Sequence, residues 1–126
     1  MLFRSAIAAC VSPAVVLAMQ LAAGRVHVAD VIADYATRIV RATRSAAGVA
    51  FGASPRAAVG LVRAARARAA THGRDFVLPD DIQALAIPVL AHRIIATADA
   101  VMRARTTADV LADLLREVPV PVAGPA

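Results

Sequence analysis

The chain has 126 residues, of which 60% are apolar and only 3% aromatic. This length suits one small domain, and a core of mainly Ala, Val, Leu and Ile favours closely packed helices over a sheet. The net charge of +5 comes from 14 basic residues, all of them arginine, against 9 acidic ones. We therefore predict an all-α protein, a small helical bundle with at most a minor hairpin.

The basic charge does not form a nucleic-acid signature, because acidic residues interrupt the arginines and there is no aromatic platform. We expect no nucleic-acid partner, although a basic binding module stays open as an alternative. A lone cysteine, Cys10, excludes an internal disulfide. The three histidines, His27, His72 and His92, are too far apart for a local metal motif, so no metal site is predicted.

The largely apolar run over residues 1–23 resembles a signal peptide or a short membrane span. Three features favour a helix of a globular domain instead. Ser12-Pro13 is a helix start within the run, Gln20 interrupts its end, and Gly24 is a natural stop. We predict a first helix from about Pro13 and a cytoplasmic protein, with membrane association through residues 1–23 as the alternative.

A second helix is predicted from about Asp30 to Ala46, where apolar and charged residues occupy opposite halves of the helical circumference. Its predicted inner half contains Val31, Ile32, Tyr35, Ala36, Ile39 and Val40. Gly48 follows as the stop, and we expect Phe51 to anchor the next loop on the core.

The next helix start carries the strongest candidate for function. Ser54 suits the N-cap, Pro55 suits the first helical position, and Gly52 frees the preceding backbone, so Arg56 lies in the first turn. The unpaired amides of that turn and an arginine together suit an anion such as a phosphate. A solvated Arg56 that merely follows Pro55 is the alternative interpretation.

This third helix is predicted to reach about His72, where Gly73 ends it. Arg63 lies seven residues after Arg56 on the same face. It either supports an anion or a neighbouring subunit beside Arg56, or is a solvated charge. The predicted inner face consists of Ala58, Leu61, Val62, Ala65 and Ala69.

An extended link over 75–78 leads to a fourth helix, which Pro79 opens and in which Asp80 and Asp81 act as caps at the positive end of the dipole. Pro88 is expected to break this helix and to begin a short further one.

The remainder shows weaker signals. Residues 94–105 are irregular, with room for a short strand at Ile94-Ile95. Thr106 and Asp109 form a capping-box-like pair that starts the last helix. The proline-rich tail, 120–126, is predicted to be disordered.

Three segments carry a family resemblance: Gly52-Ala53-Ser54-Pro55-Arg56, then Gly73 to Ile82, then Val89-Leu90-Ala91-His92-Arg93. Their order and spacing resemble the C-terminal lid domain of MoxR-family AAA+ ATPases. The resemblance covers about residues 11–119, which we interpret as the lid domain, and leaves 1–10 unassigned. One departure is Leu78, where the family usually has Thr or Ser.

The resemblance implies that Arg56 is the sensor-2 residue, which reaches from the lid to nucleotide phosphates held by an ATPase core, with Ser54 and Pro55 shaping the helix start. It implies further that the complete proteins are ring-forming, chaperone-like assembly or maturation factors. Their expected partners are the AAA+ core, neighbouring ring subunits and a von Willebrand factor A-domain protein. ATP and Mg²⁺ would bind only with that core.

The chain alone lacks the residues that hydrolyse ATP. A Walker A loop needs a lysine, and the sequence contains none. The only glutamate, Glu117, follows Arg116 near the end of a predicted helix and not an apolar strand, so there is no Walker B signature. We therefore predict no catalytic residue within this chain alone. The competing class is a stand-alone helical protein, either membrane-anchored through residues 1–23 or a basic binding module.

Overall fold

A computed structural model describes residues 8–122. The termini, 1–7 and 123–126, lie outside the described residues, and with them most of the unassigned N-terminal segment and the end of the predicted disordered tail. The elements are α1 (Pro13–Gly24), α2 (Asp30–Ala42), β1 (Val49–Phe51), α3 (Pro55–Thr71), α4 (Pro79–Leu90), β2 (Ile95–Ala96), α5 (Ala98–Met102) and α6 (Thr107–Glu117). β1 and β2 pair antiparallel in a small two-stranded sheet, and the other elements are helices. This confirms the predicted all-α class with at most a minor hairpin.

Helix α3 is the centre of the bundle and packs against α4, α2 and α1. Its buried residues, Ala57, Leu61, Ala65 and Ala69, follow a four-residue spacing along one face. Three of the four are alanine, which lets neighbouring helices approach closely. Besides Leu61, large and fully buried apolar side chains come from other elements, namely Tyr35, Ile39, Ile82, Leu90 and Leu111.

Several local helix signals are confirmed. α3 starts at Pro55 and ends just before Gly73, whose φ of +69° is the left-handed conformation expected of a glycine stop. α6 starts with the predicted capping box: the Asp109 N–H donates to Thr106 Oγ1 at 3.1 Å, and the Thr106 N–H donates to Asp109 Oδ2 at 2.8 Å.

Two predictions about the α2–α3 connection are wrong. α2 ends at Ala42 and not at Ala46, because the Thr43 side chain bonds the Val40 carbonyl and the chain then turns. Phe51 does not anchor the loop on the core, since it is 70% exposed and is paired in register with the exposed Ile95. The loop is held instead through its backbone.

The predictions for the second half need two corrections. Pro88 does not break α4, which continues to Leu90 before a 3₁₀ turn over Ala91–Arg93. The proline lies in the last turn and is exposed, so its missing N–H removes one bond where the helix is already ending. The irregular stretch contains the short helix α5, and the strand begins at Ile95, one residue later than expected.

Helix α1 forms at Pro13 as predicted, yet it contains no buried residue. Its large apolar side chains Val15, Val16, Leu17, Met19 and Leu21 are all exposed. Within residues 8–122, no helix combines the length and the hydropathy that crossing a bilayer requires.

Candidate functional site

The candidate site is the first turn of α3. Ser54 occupies the N-cap position with extended backbone angles, and Pro55 is the first helical residue. The Ser54 side chain accepts no capping hydrogen bond, while its carbonyl accepts from the Ala57 N–H at 2.9 Å. Because Pro55 has no N–H, the Arg56 N–H is the first-turn donor left without an acceptor among the described residues, at the positive end of the dipole.

Arg56 lies in this uncapped turn, and its side chain is exposed. It forms no ion pair with any acid in the part of the chain that the structure describes. Its neighbour Ala57 is fully buried, so the turn is fixed on the core while the arginine points outward. The first turn therefore offers an exposed guanidinium and a free Arg56 N–H, and both are donors for an anion.

Arg63 is also exposed, but it lies in a different environment from Arg56. Together with Gln20, Gly24 and Arg66 it lines a shallow depression between α3 and the end of α1. Seven residues of helix separate the two positions by roughly 10 Å along the axis. The structure therefore puts Arg63 on the α3 surface next to α1, whereas Arg56 lies at the N-terminal end of α3.

Two other arginines near α3 have structural partners. Arg74 donates two hydrogen bonds to Asp81, and Arg68 Nε lies 3.3 Å from Asp81 Oδ1. The Arg74 hydrogen bonds hold the pKa of Asp81 below its ordinary value, with a further contribution from the Leu78 N–H. Asp81 therefore caps α4 as predicted and also anchors this cluster.

A surface depression of about 580 Å³ lies elsewhere, between α6 and the link that follows α2. Its two arginines, Arg105 and Arg116, both pair with Asp113. These basic groups are already compensated, so the depression is a weaker anion site than the first turn of α3.

Sequence reasoning missed the residues that fix this turn. The Ala53 N–H donates to Thr43 Oγ1 at 2.9 Å, and Arg44 Nε donates to the Ala53 carbonyl at 3.2 Å. A Cβ on Gly52 would lie 2.6 Å from the Arg44 Cα, so the loop passes directly against the backbone of the turn that follows α2. No local pattern reveals these contacts, since they join residues that the prediction placed within one long helix and a separate loop.

Comparison with known proteins identifies the family. The sequence profile of the AAA lid domain family matches residues 41–114. The YeaC protein of Bacillus subtilis is 39% identical over 93 residues, or 74% of this chain and 29% of YeaC. Chaperone MoxR1 of Mycobacterium tuberculosis is 41% identical over 93 residues, or 67% of this chain and 25% of MoxR1. A crystal structure of a candidate ATPase from Cytophaga hutchinsonii matches with a TM-score of 0.76 and 32% identity, over 81% of this chain and 34% of that protein.

Since the profile covers more than half of the 126 residues, the chain belongs to the AAA lid domain family. Its similarity to MoxR1 identifies the lid as one of the MoxR type, which confirms the resemblance seen in the sequence. The chain spans between 25% and 34% of the length of these relatives.

Proposed function

We propose that the chain is the sensor-2 lid of a MoxR-type AAA+ ATPase, a chaperone-like factor that uses ATP to assemble or mature other proteins. Arg56 is the sensor-2 residue and contacts the phosphates of a nucleotide held by the ATPase core. The observation that carries the proposal is the unpaired, exposed Arg56 in an uncapped helix start. A guanidinium and a free helix N–H in the same first turn suit a phosphate.

The residues of this chain fit the phosphates of ATP and not its metal. Arg56 offers its guanidinium and its backbone N–H as hydrogen-bond donors, whereas Mg²⁺ needs oxygen ligands. ATP supplies the transferable γ-phosphoryl group, with Mg²⁺ held by the core. The role of this chain is to stabilise negative charge on the phosphates through Arg56. The chain alone is catalytically inactive.

The proposed partners follow from the same assignment. They are the AAA+ core, neighbouring ring subunits and a von Willebrand factor A-domain protein, in a cytoplasmic assembly. We assign residues 11–119 to the lid and leave 1–10 and 120–126 as flanking segments. Arg63, exposed beside α1, supports Arg56 or contacts a neighbouring subunit.

The proposal is tested by supplying a core. The ATPase core of MoxR1 is fused upstream of this lid, and steady-state turnover and nucleotide affinity are measured separately. Arg56→Ala should lower kcat by about 10²-fold, as for other donors that stabilise transition-state charge, and change the nucleotide Kd much less. Arg56→Lys should give an intermediate kcat, because it keeps the charge without the planar donor fork.

The matched control is Arg41→Ala, since Arg41 is exposed on α2 and the charge change is the same. It should leave kcat near that of the unmodified fusion. An equal loss in both variants would show that general basicity matters, and an unchanged kcat in Arg56→Ala would exclude the sensor-2 role. Magnesium-dependent turnover by the chain without a core would contradict its inactivity.

A second candidate, a membrane-attached helical protein, has one observation in its favour: the five large apolar side chains of α1 are exposed. At 12 residues, α1 is about 18 Å long and is shorter than a bilayer core, so any attachment is interfacial. Co-sedimentation with vesicles containing phosphatidylglycerol tests this candidate. Binding that Leu17→Glu abolishes would favour it, and no binding would exclude it.

A further inference from the structure

We infer that Thr43 and Arg44, at the end of α2, are positioning residues for Arg56. They hold both backbone polar groups of Ala53, three residues before Arg56, and so determine where α3 begins. This inference rests on the proposed function of Arg56, but its structural part is measured without nucleotide.

The Thr43 hydroxyl is fully buried and satisfied in both directions. It donates to the Val40 carbonyl at 2.6 Å and accepts from the Ala53 N–H at 2.9 Å. A buried hydroxyl is costly to desolvate unless it is bonded in this way. Because its single hydrogen is used on Val40, its lone pairs are directed to Ala53.

Arg44 completes the clamp from the exposed side of the loop. Its Nε donates to the Ala53 carbonyl at 3.2 Å, so consecutive side chains of one helix end bind the amide and the carbonyl of one residue. The close passage of Gly52 over the Arg44 backbone brings the loop within reach of both side chains. Ala53 itself is fully buried and cannot shift outward without opening the core.

This clamp matters for Arg56 because the helix start has no anchor from its own side chains. Ser54 makes no capping bond, and Arg56 has no ion-pair partner among residues 8–122. The direction of the α3 first turn is therefore set by Ala53 and by the burial of Ala57. A misplacement of about 1 Å at a catalytic arginine is enough to lower turnover by about 10²-fold.

The first test uses the chain as it is and measures amide hydrogen exchange by NMR. Thr43→Val keeps the shape of the side chain but removes the acceptor, so the Ala53 amide should exchange about tenfold faster. Thr43→Ser keeps the hydroxyl and should restore slow exchange. Arg44→Ala removes the donor to the Ala53 carbonyl and should perturb the Ala53 and Ser54 resonances while amides in α4 stay unchanged. Unchanged Ala53 exchange in Thr43→Val would overturn the clamp.

The second test uses the fusion with the MoxR1 core and a double-mutant cycle. Thr43→Val and Arg44→Ala should each lower kcat several-fold with little effect on nucleotide Kd, and neither should lower it further in an Arg56→Ala background. A Thr43→Val effect that persists fully without Arg56 would show a merely structural role and overturn the inference. If Arg56→Ala alone leaves kcat unchanged, the proposed function fails. The clamp is then still judged by the exchange of the Ala53 amide, which is measured without nucleotide.

Discussion

Arg74 binds Asp81 through two parallel hydrogen bonds, from Nη1 to Oδ2 at 2.8 Å and from Nη2 to Oδ1 at 2.7 Å. The carboxylate also accepts from the Leu78 N–H at 2.9 Å, so it caps α4 while it binds the loop that follows α3. Its side chain is only 3% exposed. The pair therefore joins α4 to the loop that follows α3, the helix against which α4 packs.

Removing the charge of Asp81 should destabilise the fold. Asp81→Asn leaves Arg74 and Arg68 without their carboxylate, and we expect the free energy of unfolding in urea to fall by about 2–4 kcal/mol. This loss is smaller than for a fully buried ion pair because both arginines are partly exposed. Asp80→Asn is the matched control, since Asp80 is exposed at the same helix start. A similar loss in both variants would mean that the helix dipole and not the ion pair matters.

The same pair predicts a pH dependence. Hydrogen bonds from Arg74 lower the pKa of Asp81 from its ordinary value of 3.8, so the folded state binds a proton less readily than the unfolded chain. The stabilisation is therefore present above pH 3.8 and is lost as the pH falls through the lower folded-state pKa. Urea midpoints between pH 6 and 2 should fall less steeply for Asp81→Asn. Asp109, whose pKa the Thr106 hydroxyl lowers, accounts for part of the remaining slope.

Two glycine-to-alanine variants should have opposite effects. Gly52→Ala places a Cβ within 2.7 Å of Arg44 backbone atoms that cannot move aside, and should cost about 1–3 kcal/mol of unfolding free energy. Gly60 lies inside α3, and a Cβ there meets no neighbouring element within 4 Å. Gly60→Ala should therefore raise the free energy of unfolding by about 0.5–1 kcal/mol, because alanine has the higher helix propensity. Thermal unfolding of both variants checks the sign. Destabilisation by Gly60→Ala would show that neighbouring atoms pack against this face of α3.

Substitutions of two leucines on adjacent helices should differ in how much they lower the free energy of unfolding. Leu61 in α3 is fully buried, so Leu61→Ala should cost about 2–5 kcal/mol. Leu17 in α1 is 60% exposed, so Leu17→Gln should change the unfolding free energy by less than about 0.5 kcal/mol. Urea unfolding of the isolated chain measures both. A large loss in Leu17→Gln would mean that α1 packs more closely than its exposure indicates.

Local sequence determined most helix boundaries of this protein. Pro55, Pro79 and the Thr106–Asp109 pair mark helix starts, and Gly73 marks an end, because each acts on backbone groups within one turn of itself. The GASPR segment likewise identified the family and singled out Arg56, which the structure locates in the first turn of α3. Its sensor-2 role stays a proposal.

Only the tertiary structure decided how that turn is held. Thr43 and Arg44 meet Ala53 because α2 stops at Ala42, and the Thr43–Ala53 hydrogen bond joins residues ten apart, a contact that no local propensity encodes. β1 pairs with β2 more than forty residues later in the chain, which leaves Phe51 outside the core. Such contacts depend on which surfaces packing brings together, so the local sequence predicted Arg56 but not the residues that position it.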